Sequence, residues 1–154
     1  MSDSSETRYA TARLRHAAMR VLAQETSGDP ATSENLAAAS ARLLETLSKR
    51  LGQVIGPAGV QAIFLRAVTL RKSEFAFLDE RMVARDDRDG VAESLRTGLK
   101  GQKPDVIRDV AVALFATFAG LLANVIGDRL TWSLLQQIWP DTLRALHDSQ
   151  ETDE

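Results

Sequence analysis

The stretch VAVALFATFAGLLANVIG, residues 110–127, contains no charged side chain. At about 18 residues it stands at the threshold length for crossing a bilayer. It is diluted, however, by alanine, Thr117, Gly120 and Asn124, and no aromatic belt or Lys/Arg cluster flanks it. Insertion favours Leu and Ile over this much Ala and Gly, so the segment reads as the core helix of a soluble domain rather than a membrane span. The helix is expected to start at Asp105 or its neighbour and to run through Ile126. Gly127 closes it, because glycine tolerates positive φ, and Asp128 is placed to cap the helix that follows.

Successive residues of a helix lie about 100° apart, which divides this segment into two unlike sides. Val110, Leu114, Phe115, Phe118, Leu121, Leu122, Val125 and Ile126 gather on one, while Ala113, Ala116, Gly120 and Ala123 gather opposite, with Thr117 and Asn124 beside them. Neither side suits water, so the helix is expected at the centre of the fold. The bulky side fills a core. The small side admits another helix at close range, and a mid-helix glycine costing about 1 kcal/mol relative to alanine fits that reading. Two partners satisfy it: the alanine-containing second helix of the same chain, or the same helix of a second subunit in a two-fold dimer. Ala113, Ala116, Gly120, Ala123 and Asn124 are thus a candidate helix-packing or dimer seam. Asn124 could fix register by pairing with its symmetry mate. A homodimer is the expected state.

The rest of the chain supplies helices around this centre. Tyr9 to Gln24 reads as helix, with Ala10, Leu14, Ala17, Ala18 and Val21 on one face, and it stops at Ser27-Gly-Asp-Pro30. Thr32 or Ser33 caps the next, whose Leu36, Leu43, Leu44, Leu47, Leu51 and Val54 oppose Arg42, Glu45, Lys49 and Gln53. Gly56-Pro57 ends it. A third helix, about Val60 to Lys72, carries Val60, Ile63, Phe64, Ala67 and Val68 inward, and Ser73 either continues or interrupts it. Asp79 to Asp89 reads as a helix end and exposed loop, Val91 to Leu99 as a short helix, and Gly101-Gln-Lys-Pro104 as a connector. Leu130, Leu134, Leu135 and Ile138 give the last helix its apolar face, and Pro140 either ends it or opens a terminal turn. No run alternates as a strand would. The expected fold is all-α: one domain over residues 1–154, a compact bundle of about five or six helices around the apolar helix near 105–126. The polar arm 1–6 and the acidic tail 148–154 are expected to fray.

Composition narrows function mainly by exclusion. The chain has 154 residues, 44% hydrophobic and 26% charged, with a formal net charge of -2, which argues against a nucleic-acid footprint and against an anionic membrane. Arg8 to Arg20 is locally basic. Cysteine is absent from the sequence, which removes disulfides, thiolate metal sites and a thiol nucleophile. Met1-Ser-Asp-Ser-Ser-Glu lacks the apolar run of a secretory signal, so the cytoplasm is the expected address. His16 and His147 have no acid or histidine at metal-helix spacing. No phosphate loop, dinucleotide fingerprint or nucleophile elbow occurs. Asp86-Asp87-Arg88-Asp89-Gly90 fails as a calcium loop, because aligning Gly90 puts Arg85 and Arg96 where carboxylates must stand. His16 lacks the neighbouring carboxylate expected of a phosphorylated histidine. No cofactor or metal is expected.

Three features remain. Tyr9, Arg13, His16 and Arg20 follow steps of four, three and four, forming a ridge that reads as a solvated face or as a surface for an acidic partner, a phosphate or nucleic acid, the net charge favouring the solvated face. Arg71 falls within the stripe of Val60, Phe64, Ala67, Phe75 and Leu78 if the third helix continues past Ser73. Buried there it needs a partner such as Glu74, Asp79 or an anion; if the helix bends, it reaches solvent along its aliphatic stem. Trp132 and Trp139 lie at the edge of the last helix's apolar face, as anchors or as a stacking platform. The expected function is a non-catalytic helical interaction or regulatory module that presents a surface to a protein partner and self-associates. The alternative is a small-molecule sensor with a pocket lined by Phe64, Phe75, Phe115, Phe118 and a tryptophan.

Overall fold

The computed structural model describes residues 2–28, 30–75, 78, 95–96, 98–99 and 101–143, with side chains from residue 12 onward. It is all-α. Helices α1 (Ser2–Glu25), α2 (Ser33–Ile55), α3 (Pro57–Arg71), α4 (Pro104–Ile126) and α5 (Asp128–Ile138) follow in chain order, with no strand among the described residues. Residues 95, 96, 98 and 99 are helical, and Leu95 and Leu99 are buried. Residues 140–143 form a further helical turn, so Pro140 opens a turn rather than only ending α5. The loop placed at Asp79 to Asp89, the acidic tail, the side chain of Tyr9 and His147 lie outside the described residues.

Local chemistry sets the element boundaries. Thr32 is the N-cap of α2, its hydroxyl accepting from the Asn35 N–H at 3.2 Å. Ser33 takes a different task, donating to the carbonyl of Gln102 at 2.7 Å and tying the start of α2 to the start of α4. Gly56 ends α2 and begins α3 with φ of 85°, and Pro57 follows at the first turn, where its missing N–H has no intrahelical partner to lose. Gly127, φ 93°, makes the same switch between α4 and α5. Gly127 rather than Asp128 is therefore the N-cap of α5, and no side-chain cap bond forms there. The observed α1 already begins at Ser2, where the polar residues carry no apolar period to reveal it.

Helix α4 is the centre. Ile107, Val110, Leu114, Phe115, Phe118, Ala119 and Leu122 are essentially excluded from solvent, and α1, α2, α3 and α5 all pack on it. Its length and apolar character would suffice to cross a membrane, and just over half of its most apolar window is buried within the fold. The largest contact is with α1. Leu14 lies against Gly120, while the short α1–α2 connection and the Ser33–Gln102 bond bring the end of α1 toward the start of α4, so the two run antiparallel. At Gly120 the neighbour on the small side of α4 is therefore α1, through Leu14; Leu14, Ala17, Ala18, Val21 and Leu22 are buried among the described side chains of α1.

Three expectations about apolar faces need correction. Val54 is 49% exposed, although it continues the leucine stripe of α2, because it lies in the helix's last turn. Leu130 is 47% exposed and Val125 70%, on either side of the Gly127 turn where both helices end. There the wheel still assigns an inner side, but no helix among the described residues covers it.

Candidate interaction surface

The buried stripe of α1 is centred near Leu14 and Val21, and a half-turn away lies a face that no helix among the described residues covers. Ala12, Arg15, His16, Met19, Arg20, Ala23 and Gln24 are all exposed there. At 3.6 residues per turn, Ala12, His16, Met19 and Ala23 form a line along the middle of that face, with steps of four, three and four. Arg15 and Arg20 flank it, about 140° apart around the axis. Met19 stands 49% exposed in the line. From residue 12 to 24 the titratable groups are Arg13, Arg15, His16 and Arg20, and no carboxylate interrupts them. Elsewhere Arg42, Lys49, Arg71 and Arg108 each meet a carboxylate at 2.9–3.6 Å. Among the described residues, Arg15, His16 and Arg20 meet none.

The ridge read from the sequence is therefore only partly a ridge. His16 and Arg20 are exposed, but Arg13 turns aside. Its guanidinium lies over the ring of Trp132 on α5, 4.1 Å from the centroid, and its Nε is buried without a hydrogen-bond partner. A buried unpaired donor costs about 1–3 kcal/mol, and a cation over an indole returns about 0.5–2 kcal/mol depending on desolvation. The two roughly offset each other. The clasp's effect is positional, joining α1 to α5. Arg15 and Met19, which the ridge omitted, belong to the exposed face; the wheel that placed the buried stripe near Leu14 also places them opposite it.

Arg71 is the last residue of α3, and the chain leaves the helix through Lys72–Glu74. Its side chain is 26% exposed; Nε donates to the Thr117 hydroxyl at 2.7 Å and Nη1 to Glu74 Oε1 at 2.9 Å. The guanidinium is thus paired at the edge of the core. This satisfies a partly buried charge and fastens α3 to the middle of α4.

The candidate seam on α4 divides along its length. Ala113 and Ala116 are buried, Gly120 and Ala123 are half-buried, and Asn124 is exposed. A Cβ built at Gly120 would meet one side-chain atom, Leu14 Cδ1 at 3.9 Å, which is ordinary van der Waals contact. The backbones do not touch there, contrary to what a mid-helix glycine indicates from sequence. Among the described residues, the exposed large apolar side chains next to this end of α4 are Val125 and Leu130.

The aromatic side chains that would line a pocket fill the core instead. Phe64 and Phe118 lie with ring centroids 4.4 Å apart, and Phe115 packs on Trp139 at 5.8 Å. All four are at most 5% exposed. Phe75 is partly buried against the same core. No group of three or more metal-ligating side chains occurs among the described residues. Comparison of the chain with protein-family models, with curated proteins and with solved structures gives no match.

Proposed function

We propose that the chain is a non-catalytic helical interaction module that acts by presenting a surface to a protein partner. The observation that carries this reading is the outer face of α1, a continuous exposed stripe with Arg15 and Arg20 unpaired among the described residues and no carboxylate within it. The packing of Phe64 on Phe118 and of Phe115 on Trp139 also supports it, because these rings are engaged with one another where a sensor would need a cavity. The reading includes self-association at the α4–α5 corner, where Val125 and Leu130 are exposed beside Asn124, and an address in the cytoplasm.

The test is a photo-crosslinking residue placed at Met19 in cells that naturally contain the protein. A discrete adduct is expected, and it should vanish in the Arg15→Glu/Arg20→Glu background. No adduct, or one indifferent to both substitutions, contradicts the proposal. So does a small apolar molecule that survives purification and raises the melting temperature.

A further inference from the structure

From the pattern on the outer face of α1 we infer the chemistry of the partner: an amphipathic helix with carboxylates on both flanks of an apolar stripe. The inference rests on the interaction-module reading and adds the occupant.

The line Ala12–His16–Met19–Ala23 has the four–three spacing by which one helix seats the side chains of another. Three of its members are small or flexible and exposed, with Met19, the adaptable one, in the middle. The line extends about 16 Å, enough for a partner of about three turns. Arg15 on one flank and Arg20 on the other occupy the positions from which charged residues select a partner across a helix pair. Both are exposed and unpaired, so a carboxylate opposite either displaces no ion pair of this chain. Arg13, beyond Arg20 and held over Trp132, adds a fixed positive charge along that edge. A partner with Glu or Asp on both sides of its apolar stripe meets cations on both sides of this one. A partner with basic flanks is repelled at each.

An anionic membrane fits the face less well. Surface-lying helices bind lipid by burying Trp, Phe or Leu, and this stripe offers alanine, histidine and one methionine. A nucleic-acid duplex also attracts arginine, but it has no use for the alanines and methionine of the line, and the whole chain is net negative.

The experiment uses the full chain and a preformed helical peptide of about three to four turns, with Leu along one stripe and Glu along both flanks, followed by fluorescence anisotropy. Parallel arms use the same peptide with Gln for Glu, phosphatidylcholine vesicles containing phosphatidylserine, and a short DNA duplex. Binding of the Glu peptide is expected to weaken as salt is added. It should weaken about tenfold or more with the Gln peptide, and by a similar factor with Arg15→Glu/Arg20→Glu. Circular dichroism of that variant should match the parent. No binding at about 1 mM peptide, equal binding of the folded double variant, or tighter binding of vesicles or DNA than of the Glu peptide each overturns the inference. The two failures separate cleanly. A charge-sensitive crosslink at Met19 without peptide binding removes the acidic helix and leaves the interaction module, whereas absence of the crosslink removes the module itself.

Discussion

Replacing Gly120 by alanine should stabilise the protein. The expectation follows from what surrounds the position. Gly120 sits deep inside α4 with helical backbone and no positive φ, so its conformational freedom serves no purpose in the folded state. Alanine there gains about 1 kcal/mol in helix propensity, partly by restricting the unfolded chain. The added methyl meets only Leu14 Cδ1 at 3.9 Å, close enough for attraction and too far for a clash. A net gain of about 0.5–1 kcal/mol is expected. For a chain of this size that corresponds to about 1–4 °C in melting temperature. Urea denaturation followed by far-UV circular dichroism reads it, with the slope of the transition unchanged. A loss of stability would show that something approaches Gly120 more closely than α1 does. If that loss came with a change in sedimentation, the neighbour would be a second subunit, and the account of the small face given above would be wrong. Gly120→Leu goes the other way. Its longer side chain must displace Leu14, at a cost of about 1–3 kcal/mol, whereas Leu122→Met on the buried side conserves volume and should cost less than about 1.5 kcal/mol.

Other substitutions test the remaining contacts. Phe118→Ala removes a fully buried ring packed on Phe64 and should cost about 3–5 kcal/mol in urea denaturation; a cost under 1 kcal/mol would mean that the core is not closed there. Thr117→Val takes the acceptor from Arg71 Nε while the Glu74 pair remains, so a loss of about 0.5–1.5 kcal/mol is expected, and no loss would reject the Arg71–Thr117 tie. Val125→Glu/Leu130→Glu should shift sedimentation toward monomer with melting temperature nearly unchanged, since both residues are exposed; an unaltered sedimentation profile would remove the corner as the site of self-association.

The helices with one wet face were legible from sequence, and what was not legible depended on where the chain runs out of neighbours. The leucine stripe of α2 is buried at Leu36, Leu43, Leu44, Leu47 and Leu51 because its spacing alone identifies the side that must leave water. The same rule overreached at Val54, Val125 and Leu130, since periodicity gives direction around a helix but not whether a partner extends that far along it. The first turns of α1 were invisible because Ser2 to Glu6 carry no apolar period to read. Arg13 was misplaced for a different reason. Its backbone position borders the exposed face, but a long side chain reached an indole on α5, a contact between distant parts of the chain that no local spacing encodes. The small face of α4 was recognised as a packing surface. At Gly120 the neighbour is Leu14 of α1 rather than α2, a choice that periodicity alone does not make, since both helices offer alanine.

At Gly120 the neighbour of α4 is Leu14 of α1 in the same chain, a packing that turns Arg15 and Arg20 of α1 outward. The absence of cysteine makes this directly measurable in a Leu14→Cys/Gly120→Cys variant treated with a short thiol-to-thiol crosslinker at low protein concentration. An intramolecular product that migrates as a compact monomer on a denaturing gel is expected, with the same yield as the protein is diluted. Covalent dimers that dominate and decline on dilution would place the second helix in another subunit and contradict it.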